Sequence, residues 1–328
     1  MNPVQQRFCR LNAALGEQIL GQQILLERLL IALLADGHLL VEGAPGLAKT
    51  RAIRQLGYHL EGHFQRIQFT PDLLPADLTG TDIYRPQDGS FTFQPGPLFN
   101  NLILADEINR APAKVQSALL EAMAERQITV GKKTYRLADP FLVMATQNPI
   151  EQEGTYPLPE AQLDRFLLHV RIDYPAAETE RQILNLARAE ASNSNPATST
   201  EVESDSAGKL SVAELGEARQ QVLDLYMAEN LEEYLLQLIL ATRNPRLYGE
   251  ELVGAVQYGA SPRASIALDR CSRARAWLHG RDYVTPEDVQ SLVFDVLRHR
   301  VLLSYEAEAA GMTVDRFTGE LIARVPVP

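Results

Sequence analysis

The chain has few of the features that mark secreted, membrane-spanning or strongly nucleic-acid-binding proteins. Its two cysteines, Cys9 and Cys271, lie far apart and indicate neither a disulfide framework nor a cysteine metal cluster. Two unpaired thiols are typical of a reducing compartment. No apolar run is long enough to span a bilayer, and the first residues lack the apolar core of a signal peptide. We therefore expect a cytoplasmic protein without a membrane segment.

An excess of basic charge is also missing. The 328 residues include 31 Lys and Arg against 42 Asp and Glu, which gives a formal net charge of −11. A sequence-independent grip on nucleic acid needs a basic face, so the composition argues against nucleic acid as the main partner. The length is enough for about two domains.

The most informative motif lies at residues 43–50. It nearly matches the phosphate-binding loop G-x-x-x-x-G-K-[ST], with the residues Gly43, Ala44, Pro45, Gly46, Leu47, Ala48, Lys49 and Thr50. In such a loop backbone N–H groups surround the phosphates, the lysine reaches the β and γ phosphates, and the hydroxyl binds Mg²⁺. The apolar run 39–41 predicts a buried strand before the loop, and residues 51–56 predict a helix after it.

Ala48 departs from this motif, which has glycine at that position. A Cβ atom disfavours a positive φ angle. We therefore expect Ala48 to have a negative φ and to belong already to the following helix. The strained turn is then expected at Gly46.

Two acids follow another predicted buried strand, at residues 102–105. They are Asp106 and Glu107. Ligands of open α/β sheets bind at the carboxyl ends of the strands, so both carboxylates are expected beside the loop. Phosphoryl transfer to water needs Mg²⁺ and a group that activates the water. Asp106 is the candidate for the metal and Glu107 for the water, although such a pair alone would more often be solvated.

Three further residues are candidates for the same chemistry. Asn148 follows the predicted strand 141–145, and its carboxamide could bond the γ phosphate or the water; a turn-forming Asn before Pro is the alternative. Arg165 and Arg263 could stabilise charge on a transferred phosphoryl group, and Arg165 could serve a neighbouring subunit. Most arginines are instead surface residues in salt bridges.

The order of elements predicts the architecture. Strands that alternate with helices indicate a three-layer α/β fold with a parallel sheet. Alternating residues and turn signals predict β-hairpins at 84–93 and 128–137. Polar, acidic residues at 191–208 predict a flexible linker or loop. The segment 209–328 shows helical patterns throughout, so we expect an ATPase-type core at 1–190 and a helical domain at 209–328.

In combination these motifs resemble those of AAA+ ATPases, and closely those of the MoxR family. The matching segments, which follow one another in the expected order, are 42–50, 106–112, 145–149, 163–166 and 259–263. Each segment alone has moderate specificity, whereas the set is highly specific. MoxR-type loops carry alanine as well as glycine before the lysine, so the resemblance makes Ala48 a tolerated variant.

The resemblance implies a role for each motif. Lys49 and Thr50 match the Walker A residues, and Asp106 and Glu107 match the Walker B pair. Asn148 matches sensor 1, Arg165 the arginine finger and Arg263 sensor 2. Gly21 and Gln22, between two predicted helices ahead of the loop, are counted among the nucleotide-binding residues. The two hairpins are similar to the helix-2 and pre-sensor-1 inserts of this clade.

The resemblance also implies cofactors and partners. ATP and Mg²⁺ are the expected cofactors. Hexameric rings are expected, together with a partner that has a von Willebrand factor A domain and a client enzyme or complex that is remodelled or matured. Two other functions stay open: a nucleic-acid-translocating ring ATPase, for which Lys132 and Lys133 would contact the strand, and a nucleotide-binding scaffold that does not hydrolyse ATP.

Overall fold

The protein is described by a computed structural model over residues 2–149, 154–193 and 208–328. One sheet organises its first part. The strands of this sheet are β1 (Leu39–Glu42), β2 (Phe64–Gln68), β5 (Leu102–Asp106), β8 (Leu142–Gln147) and β9 (Leu168–Arg171). They are all parallel and follow the order β2-β5-β8-β1-β9.

Helices cover both faces of this sheet. They are α1 (Pro3–Gln18), α2 (Gln23–Leu34), α3 (Lys49–His59), α4 (Pro75–Thr79), α5 (Ala113–Glu125), α6 (Glu160–Leu163) and α7 (Ala177–Asn193). Leu39 and Val41 of β1 pack in one core with α1, α2 and α3, whereas Leu40 packs in a second core with α5. Successive strand residues point to opposite faces, so both faces must be apolar. The predicted three-layer fold with a parallel sheet is confirmed.

Two antiparallel hairpins lie where the sequence predicts them. They consist of β3 (Gly80–Arg85) with β4 (Ser90–Pro95), and of β6 (Gln127–Val130) with β7 (Lys133–Arg136). Phe93 of the first hairpin stacks on Tyr135 of the second, with 4.2 Å between the ring centroids. Phe99 meets both rings edge-on. The aromatic contacts therefore join the two hairpins into one unit.

The last part is a helical domain, which we call the lid. Its helices are α8 (Val212–Leu223), α9 (Glu229–Arg243), α10 (Pro262–Leu278), α11 (Pro286–Leu297), α12 (Tyr305–Ala309) and α13 (Val314–Arg324). The expectation that this part is helical throughout is wrong in one detail. A short antiparallel pair, β10 (Val256–Tyr258) and β11 (Leu302–Leu303), joins the chain on either side of α10 and α11. Strands of three and two residues are too short to produce a periodic pattern.

Buried arginines tie the lid to the sheet domain. Arg28 of α2 donates from Nε to Asp295 Oδ2 of α11 at 2.8 Å and from Nη2 to the Ser291 carbonyl at 2.7 Å. Arg300, after α11, donates to Asp164 Oδ1 at 2.8 Å and to the Phe166 carbonyl at 2.6 Å. Buried charges are tolerated when they are paired and hydrogen-bonded, and breaking such a pair is costly. These bonds set the position of α11 relative to α2 and to the segment before β9.

The predicted linker lies mostly outside the described residues. Helix α7 continues to Asn193, so it passes the predicted start of the linker at residue 191. Residues 194–207 lie outside the described part of the chain. Among the described helices, none has the length and apolarity needed to cross a membrane. Cys9 and Cys271 are both free, and burial raises the pKa of the Cys271 thiol to about 12.

Candidate functional site

The loop at 43–50 joins β1 to α3 at the carboxyl edge of the sheet. Gly46 has a φ of 86°, as predicted. The prediction for Ala48 is wrong, because its φ is 58° and it is the left-handed residue that caps α3. The loop must turn sharply to bring backbone N–H groups towards one centre, and this requirement outweighs the cost of about 1–2 kcal/mol of a left-handed non-glycine residue.

Close packing explains the first glycine of the loop. A Cβ atom on Gly43 would overlap the side chain of Ile172, which follows β9. Glu42, directly before the loop, bonds His169 Nε2 at 3.0 Å. The hydrogen bond from His169 lowers the pKa of the Glu42 carboxyl to about 2. At the start of the loop, Gly43 is therefore closely packed, and the residue before it is a hydrogen-bonded carboxylate.

Lys49 faces the inside of the loop. Its Nζ donates to the Gly43 carbonyl at 2.6 Å, and the side chain is half-buried. Burial lowers the pKa of this ammonium group, and the nearby carboxylates of Asp106, Glu107 and Glu42 oppose that effect. A cation held across the mouth of a loop of backbone N–H groups is suited to a polyphosphate.

The two acids stand at the end of β5, next to the loop. Thr146 of β8 positions both: its Oγ1 donates to Asp106 Oδ1 at 2.6 Å and accepts from the Glu107 N–H at 2.9 Å. Glu107 itself has a φ of 58° and a ψ of 51°. A left-handed glutamate is uncommon, and such backbone strain concentrates at functional sites. The sequence analysis assigned no role to Thr146, although it lies two residues before Asn148 in the same motif.

Three more polar side chains hold the acids, and the sequence analysis missed them. Arg66 of β2 donates to Asp106 Oδ2 from Nη2 at 2.6 Å and from Nε at 3.1 Å. Gln68 Nε2 donates to Glu107 Oε2 at 2.6 Å, and Arg110 Nε lies 3.1 Å from the same oxygen. The only available signal was alternation in β2, where Arg66 and Gln68 flank the buried Ile67. Their partners lie on the neighbouring strand and cannot be inferred from it.

The loop and the acids enclose one cavity of about 420 Å³. Besides four further residues of the loop, the predicted polar side chains line it together: Lys49, Thr50, Asp106, Glu107 and Asn148. Its oxygen donors are those that Mg²⁺ prefers, and Mg²⁺ is usually held by one or two carboxylates together with substrate phosphates. Consistently, no group of three or more His, Cys, Asp and Glu suited to a metal occurs among the described residues. The donors therefore fit an Mg²⁺ ion bound with a nucleotide.

A second cavity, of about 460 Å³, flanks the other side of the loop. Its lining is largely apolar and includes Gln22, Leu47, Tyr174 and Ile183. Gly21 has a φ of 77°, and a Cβ atom there would lie 2.7 Å from the methyl group of Thr179. Gly21 thus brings the chain close to α7, whereas Gln22 faces the cavity. A mostly apolar cavity with few polar groups is typical of a site for an aromatic ring.

Arg165 and Arg263 lie elsewhere. Arg165 lies three residues before β9 and donates from Nη1 to the Leu120 carbonyl at 2.7 Å. Arg263, in the first turn of α10, lies 3.5 Å from Asp164. Both line a cleft of about 310 Å³ at the amino edge of the sheet, together with Arg270. The loop follows the carboxyl end of β1, so the four residues of that strand, about 13 Å, separate the two edges.

Comparisons with known proteins agree with this geometry. Residues 38–168 match the model of the ATPase family associated with various cellular activities (AAA), and residues 254–320 match the AAA lid domain. The chain is 44% identical to Chaperone MoxR1 of Mycobacterium tuberculosis, over 94% of this chain and 79% of that protein. It is 35% identical to Protein MoxR of Paracoccus denitrificans, over 98% and 96% of the two chains.

A solved structure is also similar. The crystal structure of a protein from Cytophaga hutchinsonii superposes with a TM-score of 0.88 at 44% identity, over 99% of this chain and 96% of that one. The agreement extends over the sheet domain and the lid. The chain therefore belongs to the MoxR family of AAA+ ATPases.

Proposed function

We propose that the protein hydrolyses ATP to ADP and phosphate with Mg²⁺ at the carboxyl edge of its sheet. The observation that carries this proposal is the single cavity lined by Lys49, Thr50, Asp106, Glu107 and Asn148. A scaffold that only binds nucleotide would need the loop but neither the acid pair nor Asn148. Their presence together therefore supports turnover.

Each of these residues has a task that its position allows. Lys49 and the loop N–H groups bind the phosphates, and Thr50 and Asp106 hold Mg²⁺, which neutralises charge on the phosphates. Glu107 accepts the proton of the attacking water, and Asn148 orients that water or the γ phosphate. Thr146 fixes the position of the Asp106 carboxylate relative to the backbone of Glu107.

The two arginines are proposed to act on the nucleotide of a neighbouring copy. Within one chain, Arg165 and Arg263 lie at the opposite edge of the sheet from the loop. Two complementary surfaces on opposite sides of a protomer produce a head-to-tail interface, which closes into a ring. We propose a hexameric ring in which the amino-edge cleft of each protomer covers the nucleotide of the next.

Mixing two inactive variants tests both assignments. Glu107→Gln and Arg165→Ala are each expected to lower phosphate release by about 10²-fold or more. Mixed rings should regain activity, because an intact Glu107 from one variant meets an intact Arg165 from the other. Phosphate release is measured over a range of mixing ratios, with ring size checked by light scattering.

The matched control is a mixture of Glu107→Gln with a double variant that carries both Glu107→Gln and Arg165→Ala. Phosphate release by this mixture should not recover, because no copy has an intact Glu107. If the test mixture stays inactive in rings of normal size, Arg165 does not act on a neighbour. If Glu107→Gln alone keeps the parental rate, Glu107 is not the base.

We further propose that hydrolysis drives chaperone-like remodelling or maturation of a client protein in the cytoplasm, together with a partner that has a von Willebrand factor A domain. The relative named Chaperone MoxR1 supports this proposal. Tyr84 and Phe91 are exposed near the tip of the first hairpin and offer an apolar contact for a client. ATP-dependent retention of a client by Glu107→Gln rings should be lost when Tyr84→Ser and Phe91→Ser are added to the same variant.

The alternative of a nucleic-acid motor has a separate test. ATPase rates that stay unchanged with single- and double-stranded DNA would exclude it.

A further inference from the structure

We infer that Arg66 is a placeholder cation: it binds Oδ2 of the Asp106 carboxylate and leaves it when Mg²⁺ arrives with the nucleotide. The inference deepens the proposed function, on which it rests. It assigns to β2, an edge strand outside all the nucleotide-binding motifs, a part in coupling metal binding to nucleotide binding.

The carboxylate of Asp106 is fully engaged. Thr146 Oγ1 donates to Oδ1, and both Nη2 and Nε of Arg66 donate to Oδ2. Arg66 also lines the cavity that contains Lys49 and Thr50. The guanidinium group therefore lies in the cavity that Thr50 lines and occupies an oxygen of Asp106 that could otherwise face Mg²⁺. A guanidinium and a dication repel each other, so Mg²⁺ at this carboxylate would compete with Arg66.

Arg66 also holds the second acid indirectly. Its Nη2 donates to Gln68 Oε1 at 2.9 Å, and Gln68 Nε2 donates to Glu107 Oε2. Residues two apart on a strand point to the same side, so one face of β2 covers both carboxylates. When Arg66 leaves Asp106, the amide of Gln68 loses a fixed neighbour as well. The departure of one side chain would thus loosen the hold on Glu107.

Charge and hydration determine whether Arg66 or Mg²⁺ binds the carboxylate of Asp106. Arg66 is 46% exposed at its side chain, so its ion pair is one that water and salt screen. Mg²⁺ carries twice the charge but gives up its water reluctantly, and it rarely binds to a lone carboxylate. When phosphate oxygens supply further ligands, Mg²⁺ binds the Asp106 carboxylate more strongly than Arg66 does. Arg66 therefore yields to Mg²⁺ together with nucleotide and not to Mg²⁺ alone.

The measurable consequence is the strengthening of nucleotide binding by Mg²⁺. In the parent protein part of this strengthening is lost, because Arg66 has to be displaced. Arg66→Gln removes the competitor and keeps a side chain of similar length. We expect the ratio of the ADP dissociation constant in EDTA to that in Mg²⁺ to rise two- to fivefold, which corresponds to about 0.4–1 kcal/mol.

The experiment titrates a fluorescent ADP analogue into the full-length protein, with EDTA or with Mg²⁺. Free ADP is more negative than its Mg²⁺ complex, so the loss of a positive charge near the phosphates also raises this ratio. A charge-retaining variant is therefore needed, and a pure charge effect would leave the ratio of Arg66→Lys unchanged. Arg54→Gln, an exposed arginine of α3 away from the cavity, is the matched control and should leave the ratio unchanged. Arg66→Lys, which keeps the charge but not the two-point grip on Oδ2, should give an intermediate ratio.

The outcomes separate this inference from the proposed function. An unchanged or smaller ratio in Arg66→Gln overturns the placeholder role, whereas ADP binding itself would still stand. An equal rise in Arg54→Gln would overturn it too, because the effect would then be one of net charge. If the parent protein binds no ADP in either condition, the proposed function fails first.

Discussion

The two edges of the sheet differ in how their charges are compensated. At the carboxyl edge, Asp106 and Glu107 are held by Arg66, Gln68 and Arg110. At the amino edge, Arg165 has a backbone carbonyl as its partner. Arg263 has a long contact to Asp164, whose carboxylate is already paired with Arg300. In a chain with a net charge of −11, a cleft with loosely paired arginines stands out.

The difference indicates which kind of ligand each edge of the sheet is suited to bind. The acids are proposed to meet a metal and a water, and neighbouring side chains neutralise them within the same chain. The arginines keep capacity for an anion, since a guanidinium group has five N–H donors and binds phosphate well. Each edge thus carries one half of the proposed site, and in the proposed ring the halves meet between two copies.

Beyond the two variants of the mixing experiment, the largest effect should come from the amino edge. Arg263→Ala is expected to lower the maximal rate about 10–100-fold, because a charged hydrogen bond contributes about 1.5–3 kcal/mol. ADP affinity should stay unchanged at concentrations where the protein is a single copy, since Arg263 lies far from its own loop. Steady-state phosphate release and ADP titration measure the two quantities.

Arg316→Ala, an exposed arginine of α13, is the control for loss of charge on the lid. If Arg263→Ala weakens ADP binding to single copies, Arg263 serves its own nucleotide and the two edges are not separate halves.

A smaller effect is expected at the carboxyl edge, from Thr146→Val. This isosteric change removes the hydroxyl that bonds both acids and should cost about 1–3 kcal/mol of stability, because buried bonding groups lose their partner. Turnover should fall as well. Thermal unfolding and phosphate release are measured side by side.

Thr242→Val provides a matched comparison in the lid. The Thr242 hydroxyl is also buried, donates to the Ile239 carbonyl at 2.6 Å and accepts from the Ala260 N–H at 2.9 Å. It should lose similar stability but keep turnover. Equal loss of turnover in both would mean that Thr146 acts through stability alone.

The smallest effect is expected in the loop itself. Ala48→Gly removes the backbone strain of an alanine in the left-handed region, which should stabilise the fold. Part of this stabilisation is offset by the larger conformational entropy of glycine in the unfolded chain. We expect a rise of about 0.5–1 kcal/mol in unfolding free energy, measured by denaturant titration. Gly216→Ala, in helix α8 with open space around the Cβ position, should stabilise by a similar amount for the opposite reason. A destabilised Ala48→Gly would mean that its backbone angle carries no strain.

Much of the site could be predicted because motifs at strand ends converge. The residues of the loop, the acids and Asn148 each follow a buried apolar strand, and parallel strands share one edge. Ala48 was mispredicted because the preference of a single residue was weighed without the closure of the loop. Arg66, Gln68 and Thr146 could not be assigned, since their contacts cross between strands that are far apart in sequence.

The sequence by itself determined the family, the order of the strands and helices and the residues proposed to carry the chemistry, because these depend on apolar periodicity and short motifs. Only the tertiary structure decided which residues meet. It separated Arg165 and Arg263 from the loop by the length of a strand, and it set Arg66 on Asp106. Side-chain contacts between strands depend on register and packing, which no local pattern encodes.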